Sequence, residues 1–404
     1  MHCVRNITDK IFWIGVNDRR LELFENMFPL PKGVSYNSYL ILDEKTAVVD
    51  TVDATQRQQF IDNIRYLLNG RQLDYLIINH MEPDHCGNIE SLVELYPDVK
   101  LIGNRTTFTF FEQFYTSSRK ANYQILGKDE VLDLGENKLH FVPAPMVHWP
   151  EVTVAYESTN KILFSADAFG TFGSLNGNIF MDEIDYDLEL LDEARRYYTN
   201  IVGKFGPQVQ SLLKKASELE IKTICPLHGP VIRTSQDIAK MISLYNKWST
   251  YTPEEKGIVI AFGSMYGNTE NIVDCIAHKL AVNGVRNIKM YDVSKTHASY
   301  IIADMFKYSH MLIAAPTYNL GLYHGMECLL RELAALNFKN RKVAIVGNHT
   351  WASGALKTMR NIIENDFKNM EIIGETLDIK SSLKAEQEAI IDELAQVISN
   401  SIKA

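Results

Sequence analysis

The chain has 404 residues, of which 46% are hydrophobic and 23% are charged, and its formal net charge is −9. A chain of this length exceeds one ordinary hydrophobic core and predicts two domains. The acidic balance argues against a nucleic-acid-binding or anionic-membrane surface, and no apolar run approaches the roughly 18–20 residues needed to span a bilayer.

Residues 1–250 alternate β-rich segments with amphipathic helices. Over 55–69 the apolar residues recur at helical spacing, and Gly70 follows as the expected end of that helix. Two longer helical regions are predicted over 186–202 and 207–219. Many strands with interspersed helices predict sheets packed face to face with helices outside. The predicted strands are 38–42, 47–50, 75–79, 139–142, 152–156, 162–165 and 221–225.

A polar, proline-containing segment, STYTPEEK at 249–256, predicts a linker between a domain over 1–250 and a second over 256–404. Strands and helices then alternate strictly, which predicts a parallel, doubly wound α/β sheet. The predicted strands are 257–262, 288–291, 311–315 and 342–347, and the helices are 270–281, 299–307, 325–336 and one that begins at 355.

The segment NHMEPDHCGN, 79–88, places two histidines and two acids within six residues. His80 ends a predicted buried strand. Pro83 disfavours helical backbone at Glu82, so 80–83 is expected to be extended or a loop. An extended backbone would point 80, 82 and 84 to one side, whereas the adjacent Asp84 and His85 would point differently. The segment therefore predicts two groups of ligands for two metal ions.

Three further metal-capable residues follow predicted strands in the same way: His148 in PAPMVHWPE, Asp167 in FSADAFG and His228 in CPLHGP. Any one of them alone could be an ordinary hydrogen-bonded residue. Together with the 80–85 cluster they predict a dinuclear site on one rim of the sheets. The three carboxylates would leave little uncompensated charge on two divalent ions.

The loop SMYGNT, 264–269, lies between a predicted strand and a predicted helix. Backbone N–H groups and the helix dipole favour a phosphate there, hydroxyls of Ser264 and Thr269 add donors, and Gly267 permits close approach. Neither a Walker loop nor a GxGxxG fingerprint is present. Alone, this loop could be an ordinary polar turn.

The order His-x-Glu-x-Asp-His, then His148, Asp167 and His228, resembles the metallo-β-lactamase-like domain of flavodiiron proteins, and 257–404 resembles a flavodoxin. The resemblance covers essentially the whole chain. It implies an αββα metallo-β-lactamase-like sandwich followed by a doubly wound flavodoxin-like domain. Hydrolytic members of the superfamily carry a second histidine where this chain has Glu82, and oxygen-rich ligand sets suit iron better than zinc.

The resemblance implies two irons and one FMN per chain. It assigns His80, Glu82 and His148 to one iron, Asp84, His85 and His228 to the other, and Asp167 to both as a bridge. His85 stays open, because some members hold the equivalent imidazole off the metal. Trp351, and after it Tyr318, are the candidates beside the flavin ring. The implied FMN-binding residues are Ser264, Met265, Tyr266, Gly267, Asn268, Thr269, Pro316, Thr317, Tyr318, Asn319, Asn348, His349, Thr350, Trp351, Ala352, Ser353 and Gly354.

The activity implied by the resemblance is reduction of O2 to water, or of NO to N2O, with electrons delivered through FMN. Tyr197 or Tyr198 is expected to donate a hydrogen bond in the gas pocket, or else to pack within its helix. Some members carry a histidine near the irons where this chain has Phe24, Glu25 and Asn26. The preference between O2 and NO is therefore left open.

Family members form head-to-tail homodimers, so a homodimer or a dimer of dimers is expected. The chain ends at Ala404 without a cysteine-rich extension, so a separate donor is expected, such as a rubredoxin or a reduced deazaflavin. The start lacks a signal peptide and the five cysteines form no CxxC pair, which favours a cytoplasmic protein with reduced thiols.

Two other functions compete with this interpretation. The first is a metal-dependent hydrolase fused to an electron carrier, against which Glu82 and the FMN domain argue. The second is a non-enzymatic, flavodoxin-like electron carrier with a structural N-terminal half, which would leave seven converging ligands without a role.

Overall fold

The computed structural model describes residues 1–116, 121–127 and 129–404. The chain divides into two compact units, one of Met1–Tyr198 and Pro207–Asn246 and the other of Thr199–Gly206 and Lys247–Ala404. Among the described helices, none combines the length and apolar character that a membrane crossing requires.

Two sheets form the first unit. The larger has seven strands in the order β1-β2-β7-β8-β9-β10-β11, the smaller has five in the order β12 to β16, and the pairs β3–β6 and β4–β5 lie outside both. The strands are β1 (Arg5–Asn6), β2 (Ile11–Trp13), β3 (Val16–Asp18), β4 (Leu23–Phe24), β5 (Phe28–Pro29), β6 (Val34–Tyr36), β7 (Tyr39–Leu42), β8 (Thr46–Val49), β9 (Tyr75–Ile77), β10 (Lys100–Gly103), β11 (Asn122–Ile125), β12 (Val131–Asp133), β13 (Lys138–Pro143), β14 (Thr153–Glu157), β15 (Ile162–Phe164) and β16 (Thr223–Cys225).

Helices connect these strands. The predicted helix over 55–69 is observed as α1, whose end is capped by Asn69 in a left-handed conformation (φ 45°), with Gly70 following at φ 90°. The predicted helix over 186–202 is divided into α5, α6 and a π-helical turn, Tyr198–Val202. The α-helices are α1 (Arg57–Leu68), α2 (Pro83–Cys86), α3 (Ile89–Leu95), α4 (Arg105–Phe114), α5 (Tyr186–Glu189), α6 (Leu191–Tyr197), α7 (Gly206–Ala216) and α8 (Ser235–Ser249).

The core of the first unit lies between its two sheets. Ile41 and Ile77 project from the larger sheet, and Leu139 and Phe164 from the smaller, into one buried cluster. Full burial of one such side chain contributes roughly 1.5–3 kcal/mol. Two apolar faces packed in this way confirm the predicted sandwich of sheets.

The second unit is a parallel sheet with helices on both faces. Its strands follow the order β18-β17-β19-β21-β22, with β23 pairing beside β21 and the short β20 beside β19. This order is the one found in flavodoxin-like folds. The elements are β17 (Glu255–Phe262), α9 (Asn268–Val282), β18 (Ile288–Asp292), α10 (Ala298–Lys307), β19 (Tyr308–Tyr318), β20 (Gly321–Leu322), α11 (His324–Ala335), β21 (Lys339–His349), α12 (Ala355–Asp366), β22 (Lys368–Ile372), β23 (Leu377–Lys380) and α13 (Glu388–Lys403).

The linker predicted over 249–256 is shorter than expected. Helix α8 continues to Ser249 and β17 already begins at Glu255, so only 250–254 lies between them. Within it, Tyr251 is buried and donates its hydroxyl to the Gly203 carbonyl at 2.8 Å. Polar composition predicted a loop here, and burial of one aromatic side chain makes that loop compact.

Gly229 follows the predicted ligand His228 and occupies a position with no room for a larger side chain. Its φ is +77°, and a Cβ there would lie 2.1 Å from the Thr171 methyl carbon. We expect Gly229→Ala to lower the free energy of unfolding by about 2–4 kcal/mol, from left-handed strain and overpacking together. Urea unfolding followed by circular dichroism measures the loss.

The matched control is Gly70→Ala. Gly70 also has a positive φ, +90°, but nothing lies within 4 Å of its Cβ position. Only the conformational cost of about 1–2 kcal/mol is then expected. Equal losses in the two variants would show that the Thr171 contact imposes no constraint.

Candidate metal centre and flavin site

One rim of the first unit collects the metal-capable side chains. His80 follows β9, Asp167 follows β15 and His228 follows β16. Strands β8 and β9 are parallel, as are β15 and β16, so each pair ends on one edge of its sheet. His148 precedes β14, which runs antiparallel to β15 and so begins where β15 ends. The two sheets are joined here by the Thr153 N–H, which donates to the Asn79 carbonyl at 3.0 Å.

A short helix divides the NHMEPDHCGN segment. Pro83 occupies the first position of α2, where a missing N–H costs nothing, and Glu82 precedes it with extended backbone (φ −66°, ψ 142°). The resulting turn groups Asp84 with His85 and separates them from His80 and Glu82. The prediction that 80, 82 and 84 point to one side was therefore wrong, because the backbone becomes helical at Pro83.

The first ligand group consists of His80, Glu82, His148 and Asp167. Nε2 of His148 lies 3.0 Å from Glu82 Oε2 and 3.1 Å from Asp167 Oδ2. Nε2 of His80 lies 3.3 Å and 3.2 Å from the same two oxygens. Two imidazoles and two carboxylates thus converge on one point.

The second group consists of Asp84, His85 and His228. The Nε2 atoms of the two histidines are 3.0 Å apart and lie 3.3 Å and 3.4 Å from Asp84 Oδ2. Asp167 Oδ1 lies 3.1 Å from His85 Nε2 and 3.7 Å from His228 Nε2. Asp167 therefore offers one oxygen to each group, and His85 lies inside the second.

The chemistry of these atoms fits a pair of metal ions. His80 Nε2 and both carboxylate oxygens of Asp84 and Asp167 are buried without a hydrogen-bond partner in the described residues. Burying such groups unpaired is costly, and bound cations would satisfy all of them. Four imidazole nitrogens with three carboxylates form a nitrogen and oxygen donor set that suits non-haem iron.

Two buried carboxylates outside the predicted ligand set support it. Glu151 Oε1 lies 2.7 Å from His80 Nδ1 and accepts the Met81 N–H at 2.8 Å. Asp50 Oδ1 accepts the N–H groups of Asn79 and His80 at 2.7 and 3.2 Å. Sequence reasoning missed both, although Asp50 directly follows a strand and Glu151 lies in the loop of His148.

The loop that carries His228 is held against β6 and β7. His228 Nδ1 donates to the Ser35 carbonyl at 2.8 Å, which leaves Nε2 for a metal. Asn37 donates to the carbonyls of Pro226 and Gly229 at 2.8 and 2.7 Å, and the Tyr39 hydroxyl donates to Pro226 at 2.6 Å. These bonds fix the ligand before any metal binds.

A cavity of about 380 Å³ opens beside Glu82 and Asp84, and the β4–β5 hairpin supplies Leu23, Phe24 and Glu25 to its wall. Partial desolvation, and next a hydrogen bond with Glu82, raises the pKa of Glu25 to about 8, although its side chain is solvent-exposed. The raised pKa favours the neutral form of Glu25 beside Glu82. The segment 24–26, predicted to make this pocket a variant, does line it.

Of the two candidate tyrosines, Tyr197 is the one beside a ligand. Its ring centroid lies 5.3 Å from that of His228, and its buried hydroxyl has no hydrogen-bond partner in the described residues. Tyr198 packs instead against Tyr245 at 4.9 Å. Burial, and next the Asp167 charge, raises the pKa of Tyr197 well above its usual value, so the hydroxyl stays a donor.

In the second unit, the three predicted flavin segments lie at the carboxyl ends of β17, β19 and β21, and residues 316–318 and 348–349 still belong to their strands. Gly267 has a φ of +86° with open space at its Cβ position, and helix α9 begins directly after it at Asn268. The Ser264 hydroxyl accepts the Gly267 N–H at 3.1 Å and shapes the loop. The free N–H groups at this helix start fit an FMN phosphate.

The other two loops are tied together. Thr317 Oγ1 accepts the N–H groups of Gly354 and Ala355 at 3.0 and 3.1 Å. Asp378, which sequence reasoning missed, accepts from Ser353 at 2.5 Å and lies 2.9 Å from His349 Nδ1. Its position on β23 gave no local signal, because the contact depends on the pairing of β21 with β23.

Large aromatic side chains on these loops are exposed to solvent. Tyr266 is 91% exposed, Trp351 80% and Tyr318 50%. Exposed aromatic groups around one binding loop mark a ligand surface rather than a core. The second unit thus fits a phosphate and a flat ring at the carboxyl ends of its strands.

Comparison with known proteins agrees with this geometry. The model of the ODP family beta lactamase matches residues 34–229, and the flavodoxin model matches 260–393. A nitric oxide reductase from Moorella thermoacetica is 32% identical over 374 residues, which cover 91% of each chain. An anaerobic nitric oxide reductase flavorubredoxin from Escherichia coli is 29% identical over 391 residues, covering 95% of this chain and 79% of that protein.

The fold comparison covers both units. The structure of rubredoxin oxygen:oxidoreductase from Desulfovibrio gigas matches with a TM-score of 0.91 and 25% identity, over 99% of this chain and 98% of that one. Two fused domains, two ligand groups that share a carboxylate, and relatives of this length together define one family. The chain belongs to the flavodiiron proteins, whose cofactors are FMN and a diiron centre.

Proposed function

We propose that this chain is an oxidoreductase that reduces O2 to water, NO to N2O, or both, with electrons delivered through FMN. Residues 1–250 hold two irons and residues 256–404 hold the flavin. The observation that carries the proposal is Asp167, whose two oxygens face separate histidine pairs at 3.1–3.7 Å. The relatives named as nitric oxide reductases and the oxygen:oxidoreductase structure support the reaction.

The seven ligands in this proposal are divided as the ligand groups suggest. His80, Glu82 and His148 hold one iron, Asp84, His85 and His228 hold the other, and Asp167 bridges them. Bound iron would supply a ferrous–ferric couple, which zinc lacks. The alternative of a metal-dependent hydrolase is not favoured, because the relatives are reductases and a flavodoxin domain is fused to the site.

The chain itself orients the reactants. Phe24 and Leu23 give the cavity of about 380 Å³ apolar walls that suit a diatomic gas, and Glu82 and Asp84 also line it. Tyr197 keeps its hydroxyl proton and has no other partner in the described residues. We assign it the role of donating a hydrogen bond to the bound substrate.

The proposal extends to assembly and electron supply. A head-to-tail homodimer, or a dimer of dimers, brings the FMN of one subunit to the irons of its partner. A rubredoxin-like protein or another reduced carrier supplies the electrons. The names of two relatives, a flavorubredoxin and a rubredoxin oxygen:oxidoreductase, support this donor class. We place the protein in the cytoplasm.

Anaerobic reduction followed by O2 and NO electrode measurements tests the function, with metal analysis in parallel. We expect two irons and one FMN per chain after growth in iron-supplemented medium, and consumption of at least one gas. Glu82→His should shift the metal content toward zinc and abolish gas reduction while sparing FMN, because it replaces a hard oxygen donor by imidazole.

Glu25→Gln is the matched control, since it changes a neighbouring carboxyl of the same cavity that lies outside the ligand set. This variant should keep both irons. Zinc at both sites of the wild-type protein would refute the proposal, and retained gas reduction in Glu82→His would refute the role of position 82.

Iron binding should release protons. Burial lowers the pKa of His148, but close contacts of Nε2 with the Asp167 and Glu82 carboxylates, at 3.1 and 3.0 Å, outweigh it and raise the pKa to about 10. The metal-free imidazole is therefore protonated at pH 7, and iron must displace that proton. Apparent affinity should rise about tenfold per pH unit for each proton displaced, up to about pH 10.

Calorimetric titration with ferrous iron at pH 7.5, in two buffers of different ionisation enthalpy, counts these protons. His148→Gln should release fewer. The same pKa predicts how the stability of the metal-free protein depends on pH. A raised histidine pKa stabilises the fold fully below about pH 6.5, and this contribution is lost as pH rises toward 10. Binding without proton release at pH 7.5 would contradict the protonated state of His148.

Trp351→Ala should weaken FMN binding, because its exposed ring lies in the third flavin segment, where it can stack on the flavin. Loss of one aromatic contact is worth about 0.5–1.5 kcal/mol, or about 2–10-fold in affinity. Flavin fluorescence measures the binding, and the absorption spectrum should shift as well. Val282→Ala removes an equally exposed apolar group (73%) at the far end of α9 and should change neither. Identical FMN binding in both variants would leave Trp351 without a role in the flavin site.

A further inference from the structure

We propose that Glu151 is a positioning residue that makes the two irons unequal, by holding a carboxylate against the ring of a single iron ligand. Its Oε1 lies 2.7 Å from His80 Nδ1, and both side chains are completely buried. The inference rests on the diiron centre of the proposed function, and it concerns which iron is the easier to oxidise.

The other histidines have different support. His228 Nδ1 faces a neutral backbone carbonyl, that of Ser35, at 2.8 Å. His85 Nδ1 is buried without a hydrogen-bond partner in the described residues. The second ligand group therefore has no counterpart of the Glu151–His80 pair on these two rings. The two ligand groups therefore differ in what their histidine Nδ1 atoms contact, and not only in which residues they contain.

Glu151 is fixed in place before any metal binds. Its backbone carbonyl accepts the Asn104 side-chain amide at 2.5 Å, and the same amide reaches Thr153 Oγ1 at 3.0 Å. Its Oε1 also accepts the Met81 N–H at 2.8 Å, one residue beyond His80. The backbone of Glu151 and its Oε1 are therefore both held by hydrogen bonds, whereas Oε2 has no partner in the described residues.

A carboxylate that accepts the Nδ1 proton makes the imidazole a stronger electron donor at Nε2. Stronger donation and added negative charge favour ferric over ferrous iron at that position. An iron held by His80, Glu82 and His148 would therefore be the easier of the pair to oxidise, and its electron would pass to the O2 or NO of the proposed function. An iron held by Asp84, His85 and His228 would be the harder to oxidise.

An anaerobic redox titration of the full-length, iron-loaded protein tests this, with the half-oxidised pair followed by electron paramagnetic resonance. Glu151→Gln keeps an acceptor for the Nδ1 proton but removes the charge. We expect the first oxidation to require a higher potential. A tenfold loss of ferric preference corresponds to 59 mV for this one-electron step. One iron per chain should also be bound about 10–100-fold more weakly in a chelator competition.

The matched control is Asp50→Asn. Asp50 is a buried carboxylate at the same rim, but Oδ1 contacts only the backbone N–H groups of Asn79 and His80. Its loss removes the same charge without removing a hydrogen bond to a ligand ring. The Asp50 charge acts on the His85 and His80 rings only through space, so its shift should be smaller. Equal shifts in the two variants, no shift in either, or an equal weakening of both irons in Glu151→Gln would overturn the role of Glu151.

The proposed diiron function and the role of Glu151 can be refuted separately. A wild-type protein without a pair of irons would refute the diiron function itself. A wild-type protein with the pair, in which Glu151→Gln behaves as Asp50→Asn, would refute only the inference. Glu151→Asp, which keeps the charge at a shorter reach, should retain more of the ferric preference than Glu151→Gln, and the opposite order would count against the charge as the cause.

Discussion

The first unit depends on one carboxylate, that of Asp167. It is fully buried, neither oxygen has a hydrogen-bond partner in the described residues, and four imidazole nitrogens lie within 3.1–3.7 Å of it. An isolated ion in such a place costs several kcal/mol. Two bound cations turn this cost into attraction, so metal binding must contribute to the stability of the unit as well as to its chemistry.

The geometry of the strands explains how so many charges reach one place. Parallel strands end on a common edge, and the chain must turn sharply there to present a side chain inward. Asp50 and Ala166, just before Asp167, have φ values of 54° and 51°, which are strained for residues other than glycine. Each costs about 1–3 kcal/mol. Backbone bonds hold both turns, from Asp50 N to Ile77 O at 2.8 Å and from Leu227 N to Ala166 O at 2.9 Å.

Much of this arrangement was predictable from local sequence. Strand periodicity and the cluster at 80–85 identified the rim, and the spacing of His148, Asp167 and His228 after strands pointed to the same edge. The internal geometry of the cluster was not predictable from alternation, because Pro83 can either interrupt a strand or begin a helix, and here it begins α2. The positions of these residues after strands therefore predicted which side chains are candidate ligands. They did not predict how the ligands divide between the two groups.

The residues that hold the predicted site residues in place could not be predicted, for a different reason. Glu151 acts on His80 across 71 positions of sequence, and Asp378 on His349 across 29. Neither lies in a recognisable motif, because its role exists only after strands have paired. Glu25 was noticed as a departure from a histidine, but its raised pKa depends on its position beside Glu82, which composition does not reveal.

Both units place their binding groups at the ends of strands, but one binds cations and the other an anion. In each, most functional groups follow the carboxyl ends of parallel strands, where side chains and loops are free of the sheet's hydrogen bonds, and His148 reaches the same rim from the connection between antiparallel β13 and β14. The first unit needs to bind cations, so its strand ends carry carboxylates and imidazoles such as Asp167 and His228. The second needs to bind a dianion, so β17 ends in a loop that exposes backbone N–H groups at the start of α9. The sign of the bound charge, more than the fold, therefore determines which atoms are placed at the end of the strand.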